Sequence, residues 1–209
     1  MNEFQEIITK YKSIQGWCSL RKSLHLASLV VATNSTVSVE LGVWGGASSI
    51  PMALAHKFIG KGILWAVDPW SASASIIDQN AENQAFWGNQ QMHDLVYQDF
   101  MKNLINLQLN DYIKVIRSTS DKAQLPEIPI EVLSVDGNHG KQVIQDITKW
   151  APRVGGGGYV CLDDMSWDGG SVMEAIHLLK TMGFREVSRH QNGRTDREKD
   201  DYAVFQKII

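Results

Sequence analysis

Apolar residues recur along the chain in two rhythms. Over the first 33 residues the period is helical: Phe4, Ile7, Ile8, Tyr11 and Ile14, then, after Gly16, Leu20, Leu24, Leu29 and Val30. That spacing predicts an N-terminal helical cap over 1–33. After Asn34 and Ser35 the apolar positions come in short continuous runs. VSVELG (37–42), GILWAVD (62–68), DYIKVIRS (111–118), IEVLSVD (130–136) and GGYVCLDD (157–164) each read as a buried strand, and each is expected to lead into a helical segment. The first of those helices is GGASSIPMALAHKFIG (45–60), closed by Gly60. Unbroken apolar strands alternating with helices predict a parallel sheet covered on both faces. FREVSRH (184–190) and DYAVFQKI (201–208) are joined by a polar loop with no helical pattern, so they are expected to pair antiparallel at one end of the sheet. The fold class is therefore α/β: a doubly wound, mostly parallel seven-stranded sheet with an antiparallel C-terminal strand and N-terminal helices.

Two segments interrupt this alternation. Residues 71–90 (SASASIIDQNAENQAFWGNQ) are longer and more polar than a crossover needs, and read equally as a surface loop or as a lid over a substrate. The exposure cost of Phe86 and Trp87 keeps the lid reading open. DREKDD (196–201) reads as a solvated hairpin loop. No internal repeat or low-complexity linker breaks the chain, and 209 residues with 44% apolar content suffice for one domain over 1–209 with a full core.

Charge narrows the classes of partner. Twenty basic against 23 acidic side chains leave a formal charge of −3, which argues against a protein built to grip nucleic acid phosphates. No apolar run is long enough to span a bilayer, so no membrane partner is expected. The N-terminus mixes charged and apolar residues and lacks the pattern of a secretory signal. Cys18 and Cys161 form no framework. These features give the expectation of a cytoplasmic protein, compatible with a homo-oligomer.

In a doubly wound sheet, ligands bind beyond the carboxyl ends of the strands, so strand-end residues carry the candidate chemistry. The first strand ends in VELGVWGGASS, where Gly42, Gly45 and Gly46 permit a tight turn and close backbone approach, with Glu40 just before them. Such a turn can equally serve helix packing. Asp68 ends the second strand, where a carboxylate can accept from both hydroxyls of a ribose, or can act as a turn or cap residue before Pro69. Ser118, Thr119, Ser120 and Asp121 follow the third strand and could border a base or cap a helix. Asp136, then His139, follow the fourth strand, and Asp163 and Asp164 end the fifth. Three carboxylates converging on one sheet edge would repel one another, and a divalent cation with oxygen ligands, such as Mg²⁺, would relieve that repulsion. His139 could serve there as a general base. Caps and a satisfied structural histidine are the plainer readings of the same residues. No nucleophile elbow and no P-loop is present.

The motifs VELGVWGGASS, AVDPW, VDGNHG and GGYVCLDDMSW resemble those of class I S-adenosylmethionine-dependent methyltransferases. Within that class they are most similar to the metal-dependent O-methyltransferases of the catechol and macrocin-type sugar kinds. The resemblance covers about 37–208 by order of elements and implies the Rossmann-like methyltransferase fold. Carried over by residue, it places Glu40, Gly42, Trp44, Gly46 and Ser48 at the methionine part of the cofactor. It also places Asp68 at its ribose, Ser118 and Thr119 beside its adenine, and Asp136, Asp163 and Asp164 as ligands of a divalent metal, Mg²⁺. His139 falls where the sugar enzymes have a histidine and the catechol enzymes a lysine, which turns the expectation away from a catechol-like acceptor.

The implied reaction is S-adenosylmethionine-dependent O-methylation of a sugar or other small hydroxylated molecule, with the metal activating the hydroxyl and His139 removing its proton. Two other classes stay open: a metal-independent methyltransferase or other enzyme on the same scaffold, which EDTA would leave indifferent, and a non-catalytic nucleoside-binding subunit, against which intact acids and His139 speak.

Overall fold

The computed structural model describes residues 13–167, 170–192 and 199–208, together with Gln5 and Thr9. Of the N-terminal apolar positions, Phe4, Ile7, Ile8 and Tyr11 lie outside these, as do residues 196–198 of the acidic loop. Seven strands form one sheet: β1 (Val37–Leu41), β2 (Ile63–Asp68), β3 (Ile113–Arg117), β4 (Ile130–Val135), β5 (Val154–Asp163), β6 (Phe184–Asn192) and β7 (Asp200–Lys207). Their order is β3-β2-β1-β4-β5-β7-β6. The first five are parallel, while β7 runs antiparallel to both β5 and β6. The expected antiparallel pair is therefore present. The strand order reverses between β1 and β4, and a crevice opens above their carboxyl ends.

Both faces of the sheet are buried, which is why its strands read as unbroken apolar runs. Helices α1 (Leu20–Ala32), α2 (Ser49–Ile59) and α5 (Gln90–Asn106) cover one face, where Leu26, Ile50, Leu54 and Phe100 pack with Leu64, Ala66 and Val132. On the other face α6 (Lys141–Trp150) and α7 (Ser171–Thr181) pack Ile147, Trp150 and Leu179 against Val39, Leu133 and Leu162. Helix α1 starts at Ser19, whose hydroxyl accepts from the Lys22 amide at 3.0 Å. Helix α2 ends at Gly60, which takes the left-handed conformation (φ 71°) that glycine adopts without strain.

The structure departs from the alternating pattern after β3. Residues 118–129 form turns, not a helix, so Ser118, Thr119, Ser120 and Asp121 cap nothing. Pro126 disfavours helical backbone at Leu125, and Pro126 and Pro129 bring no amide donor, so the segment is bounded against helix growth from its C-terminal side. The segment is held instead by Lys149, whose Nζ donates to the carbonyls of Ser120, Asp121 and Ala123 at 2.8–2.9 Å. Residues 71–90 are also more ordered than a loop: they contain α3 (Ala72–Ser75) and α4 (Ala81–Trp87). Among the described residues no helix is long and apolar enough to cross a membrane.

Candidate functional site

A cavity of about 720 Å³ opens at the point where the strand order reverses. Its floor is the carboxyl ends of β1, β2, β4 and β5, and the 71–90 segment borders it from above. Of the sequence-derived cofactor residues, Gly42, Trp44, Ser48, Asp68 and Thr119 line it, whereas Glu40, Gly46 and Ser118 do not. Asp136, His139, Asp163 and Asp164 all line it.

The glycines of the first turn are required by the protein's own packing. A Cβ on Gly42 (φ 86°) would overlap the carbonyl oxygen of Asp136, and one on Gly46 would strike the Phe100 ring. The turn is braced from beneath by Asp68. Its Oδ2 accepts from the Val43 and Trp44 amides at 2.9 and 3.0 Å, and its Oδ1 accepts from the Trp70 amide at 2.6 Å. The Trp70 indole in turn donates to the Trp44 carbonyl at 2.9 Å. Trp44 and Trp70 both have positive φ (50° and 41°), a conformation that costs energy in a non-glycine residue and needs such bracing. Burial raises the Asp68 pKa, and the three amides pull it back. Oδ1 keeps lone-pair capacity beyond the Trp70 amide, so a diol could still bind.

Glu40 lies beneath the turn, fully buried, where it accepts from the Ser49 hydroxyl at the start of α2. Burial raises its pKa, and Ser49 opposes that. Through this bond it ties the start of α2 to the underside of the turn.

At the other strand ends, a residue that the motifs had not singled out is central. Lys22, on α1, is 3% exposed, and its Nζ lies 2.6 Å from Asp136 Oδ2 and 2.9 Å from Asp163 Oδ2. Burial alone would lower its pKa, but the facing carboxylates outweigh burial and hold it well above the ordinary lysine value. Burial also raises Asp136, and it pushes Asp163, helped by the Asp136 charge, up to about 7. The signal for Lys22 was in the helical register: it lies four and seven positions before Leu26 and Leu29, on the buried stripe of α1.

Asp164, expected beside the other two acids, pairs elsewhere. Its Oδ2 is 3.1 Å from His139 Nδ1, and its own φ is positive (49°). The other ring nitrogen, His139 Nε2, is buried with no hydrogen-bond partner among the described residues. An imidazole fixed at one nitrogen by a carboxylate and unpartnered at the other has the pairing of a general base.

Two groups were expected to bind here. S-adenosylmethionine fits: the cavity lies at the crevice, the braced glycine turn and the strand-end carboxylate of Asp68 line it, and so does Thr119. A divalent ion does not fit. The Lys22 ammonium takes the position between Asp136 and Asp163, Asp164 turns to His139, and among the described residues no group of three or more His, Cys, Asp or Glu side chains has the geometry to hold a metal.

The roof carries an aromatic cluster. Trp44 and Trp87 meet edge to face at 4.9 Å between centroids, and Trp17 lies 5.9 Å from Trp44, 5.6 Å from Trp87 and 5.8 Å from Phe86. This explains how Phe86, 45% exposed, is tolerated. The 71–90 segment is tied down where Asn138 Nδ2 donates to the Ile77 carbonyl at 2.6 Å, and where a His93 ring nitrogen lies 2.8 Å from the Trp87 carbonyl oxygen.

The profile of a methyltransferase-domain family matches residues 39–165. A search of curated protein sequences finds no match. Among solved structures, the chain is similar to the O-methyltransferase NovP, at 17% identity over 91% of this chain and 81% of that one, with a TM-score of 0.66. It is also similar to the O-methyltransferase TomG of Streptomyces achromogenes, involved in tomaymycin synthesis and solved with S-adenosylmethionine, at 13% identity over 100% and 91% of the two chains (TM-score 0.66). A third is an O-methyltransferase of Bacillus cereus in complex with S-adenosylhomocysteine, at 11% identity over 99% and 91% (TM-score 0.64). At these identities the likeness shows the fold.

Proposed function

The chain belongs to the methyltransferase-domain family as a class I S-adenosylmethionine-dependent enzyme, and from that premise we propose that it methylates a hydroxyl of a small molecule, a sugar or another hydroxylated natural product. The observation that carries the oxygen acceptor is the His139–Asp164 pair, on the lining of the same cavity as the braced glycine turn, with Nε2 buried and without a hydrogen-bond partner among the described residues. The three O-methyltransferases of like fold support the same reading.

Gly42, Trp44 and Ser48 border the methionine part of the cofactor, Asp68 its ribose, and Thr119 its adenine. Bound there, the cofactor supplies an electrophilic sulfonium methyl group. His139 Nε2 takes the proton of the acceptor hydroxyl, and Asp164 holds the ring in the tautomer that leaves Nε2 free and stabilises the imidazolium that forms. The cavity's volume lies in the range of sites that enclose a drug-sized ligand, so acceptor and cofactor can share it. Trp44, Trp87 and Trp167 offer apolar faces on which a pyranose or aromatic ring can lie. The Mg²⁺ implied by the family resemblance is left out of this mechanism because Lys22 occupies its place.

The test is a methyl-transfer assay with trideuteromethyl S-adenosylmethionine against a panel of hydroxylated sugars and phenols, read by mass spectrometry. The proposal expects one trideuteromethyl group on an acceptor oxygen. Label found only on nitrogen, or only on RNA, would contradict it.

A further inference from the structure

We propose that Lys22 is the resident cation of this site, its ammonium standing where an ion bridging Asp136 and Asp163 would stand, so that the protein does not recruit a divalent metal there. For its chemical meaning this rests on the methyl-transfer reading; its geometry stands independently.

Three observations carry it. First, the ammonium is at hydrogen-bond distance from both carboxylates, 2.6 and 2.9 Å, and is shielded from water. A buried ion held by two charged partners is costly to displace, because its removal leaves both carboxylates uncompensated. Second, Lys22 arrives on a fixed element. It lies one turn into α1, whose capping Ser19 hydroxyl also bonds Asp200 at the start of β7, and the Ser23 hydroxyl next to it donates to the Ala47 carbonyl at 3.0 Å. Third, Asp164 is engaged by His139, so the cluster presents two carboxylates for one cation. Mg²⁺ asks for near-octahedral oxygen ligation at about 2.1 Å, which would require the ammonium to leave. With Lys22 in place, the two carboxylates share a single positive charge, and removal of the acceptor's proton falls on His139.

The test uses the full chain, stripped with EDTA, dialysed into EDTA-free buffer and saturated with S-adenosylhomocysteine, titrated with MnCl₂ while free Mn²⁺ is followed by its electron paramagnetic resonance signal. The wild type is expected to leave the ion free at protein-equivalent concentrations. Lys22→Met and Lys22→Gln are expected to gain a site and to bind Mn²⁺ at least about tenfold tighter than the wild type, a difference of ~1.4 kcal/mol. Stoichiometric binding by the wild type that Asp136→Asn abolishes would overturn the proposal. So would a folded Lys22 variant that gains no ion. If neither variant folds, the wild-type titration decides alone. Calorimetry on aliquots of the same proteins taken before S-adenosylhomocysteine is added reports its binding, so failure of the methyl-transfer reading shows as absent heat, separate from the Mn²⁺ result.

Discussion

Replacing Asp68 with Asn removes little volume but breaks the brace under the glycine turn. The carboxylate now accepts three backbone N–H bonds, two on Oδ2 and one on Oδ1. An amide has one oxygen. If that oxygen serves Val43 and Trp44, the NH₂ group faces the Trp70 amide, donor against donor. If the amide flips, two amides lose their acceptor instead. The milder orientation forfeits one charge-assisted bond, about 1.5–3 kcal/mol, and weakens two others to neutral strength. Relief from burying the carboxylate, whose pKa is raised by that burial, offsets part of this. The net expectation is a loss of about 2–3 kcal/mol of stability, or a fall in Tm of roughly 4–12 °C for a chain of this size. The assay pairs thermal unfolding by circular dichroism with calorimetric titration of S-adenosylhomocysteine. Both Tm and affinity should fall, since the turn that cradles the ligand loses its support. Lost affinity at an unchanged Tm would refute the bracing argument and leave Asp68 as a ligand contact alone.

Other outcomes follow from the same geometry. His139→Ala and Asp164→Asn should each lower the methyl-transfer rate by about 10²–10⁴-fold, the usual worth of general-base catalysis, while S-adenosylhomocysteine affinity stays within a factor of about two. Loss of cofactor binding in step with rate would assign the pair to binding. Trp87→Ala removes the central ring of the roof and should speed limited proteolysis within 71–90 and raise KM for the acceptor; unchanged cleavage would show that the segment is held by Asn138 and His93 alone. Burial raises the Cys18 thiol to about 12 and the Cys161 thiol further. Both should resist iodoacetamide at pH 8 in the folded protein and react once it is unfolded. Because these pKa values are higher folded than unfolded, stability is fully present below the ordinary thiol value of about 8.5 and declines as pH rises above it, which urea titrations at pH 8 and 10 would reveal.

Much of this arrangement was legible in the residues. The unbroken apolar runs at 37–42, 62–68 and 130–136 reported a sheet buried on both faces, and the helix-free polar link between 184–190 and 201–208 reported the antiparallel pair. Strand-end acids were findable because position in a doubly wound sheet, and not their neighbours, brings Asp136, His139, Asp163 and Asp164 to one edge. What escaped were the pairings. Nothing in local spacing distinguishes an Asp68 that binds a ligand from one that holds three backbone amides. Nor does it tell that Asp164 turns to His139 while Asp136 and Asp163 turn to Lys22, 114 positions before Asp136. Lys22 is a long-range partner, visible in sequence only as a charge on the apolar stripe of α1. The absent helix after β3 was a local matter: the hydroxyl run resembled a cap, and Pro126 and Pro129 decided otherwise.

The central claim is that the cavity above β1 and β4 holds S-adenosylmethionine, and calorimetric titration of the purified, dialysed protein with S-adenosylhomocysteine tests it most directly. The account predicts one site per chain with a micromolar dissociation constant, a free energy of about −8 kcal/mol, unaffected by EDTA. A folded protein that evolves no heat with S-adenosylhomocysteine would contradict it, and the braced turn, Asp68 and Thr119 would then belong to a different ligand.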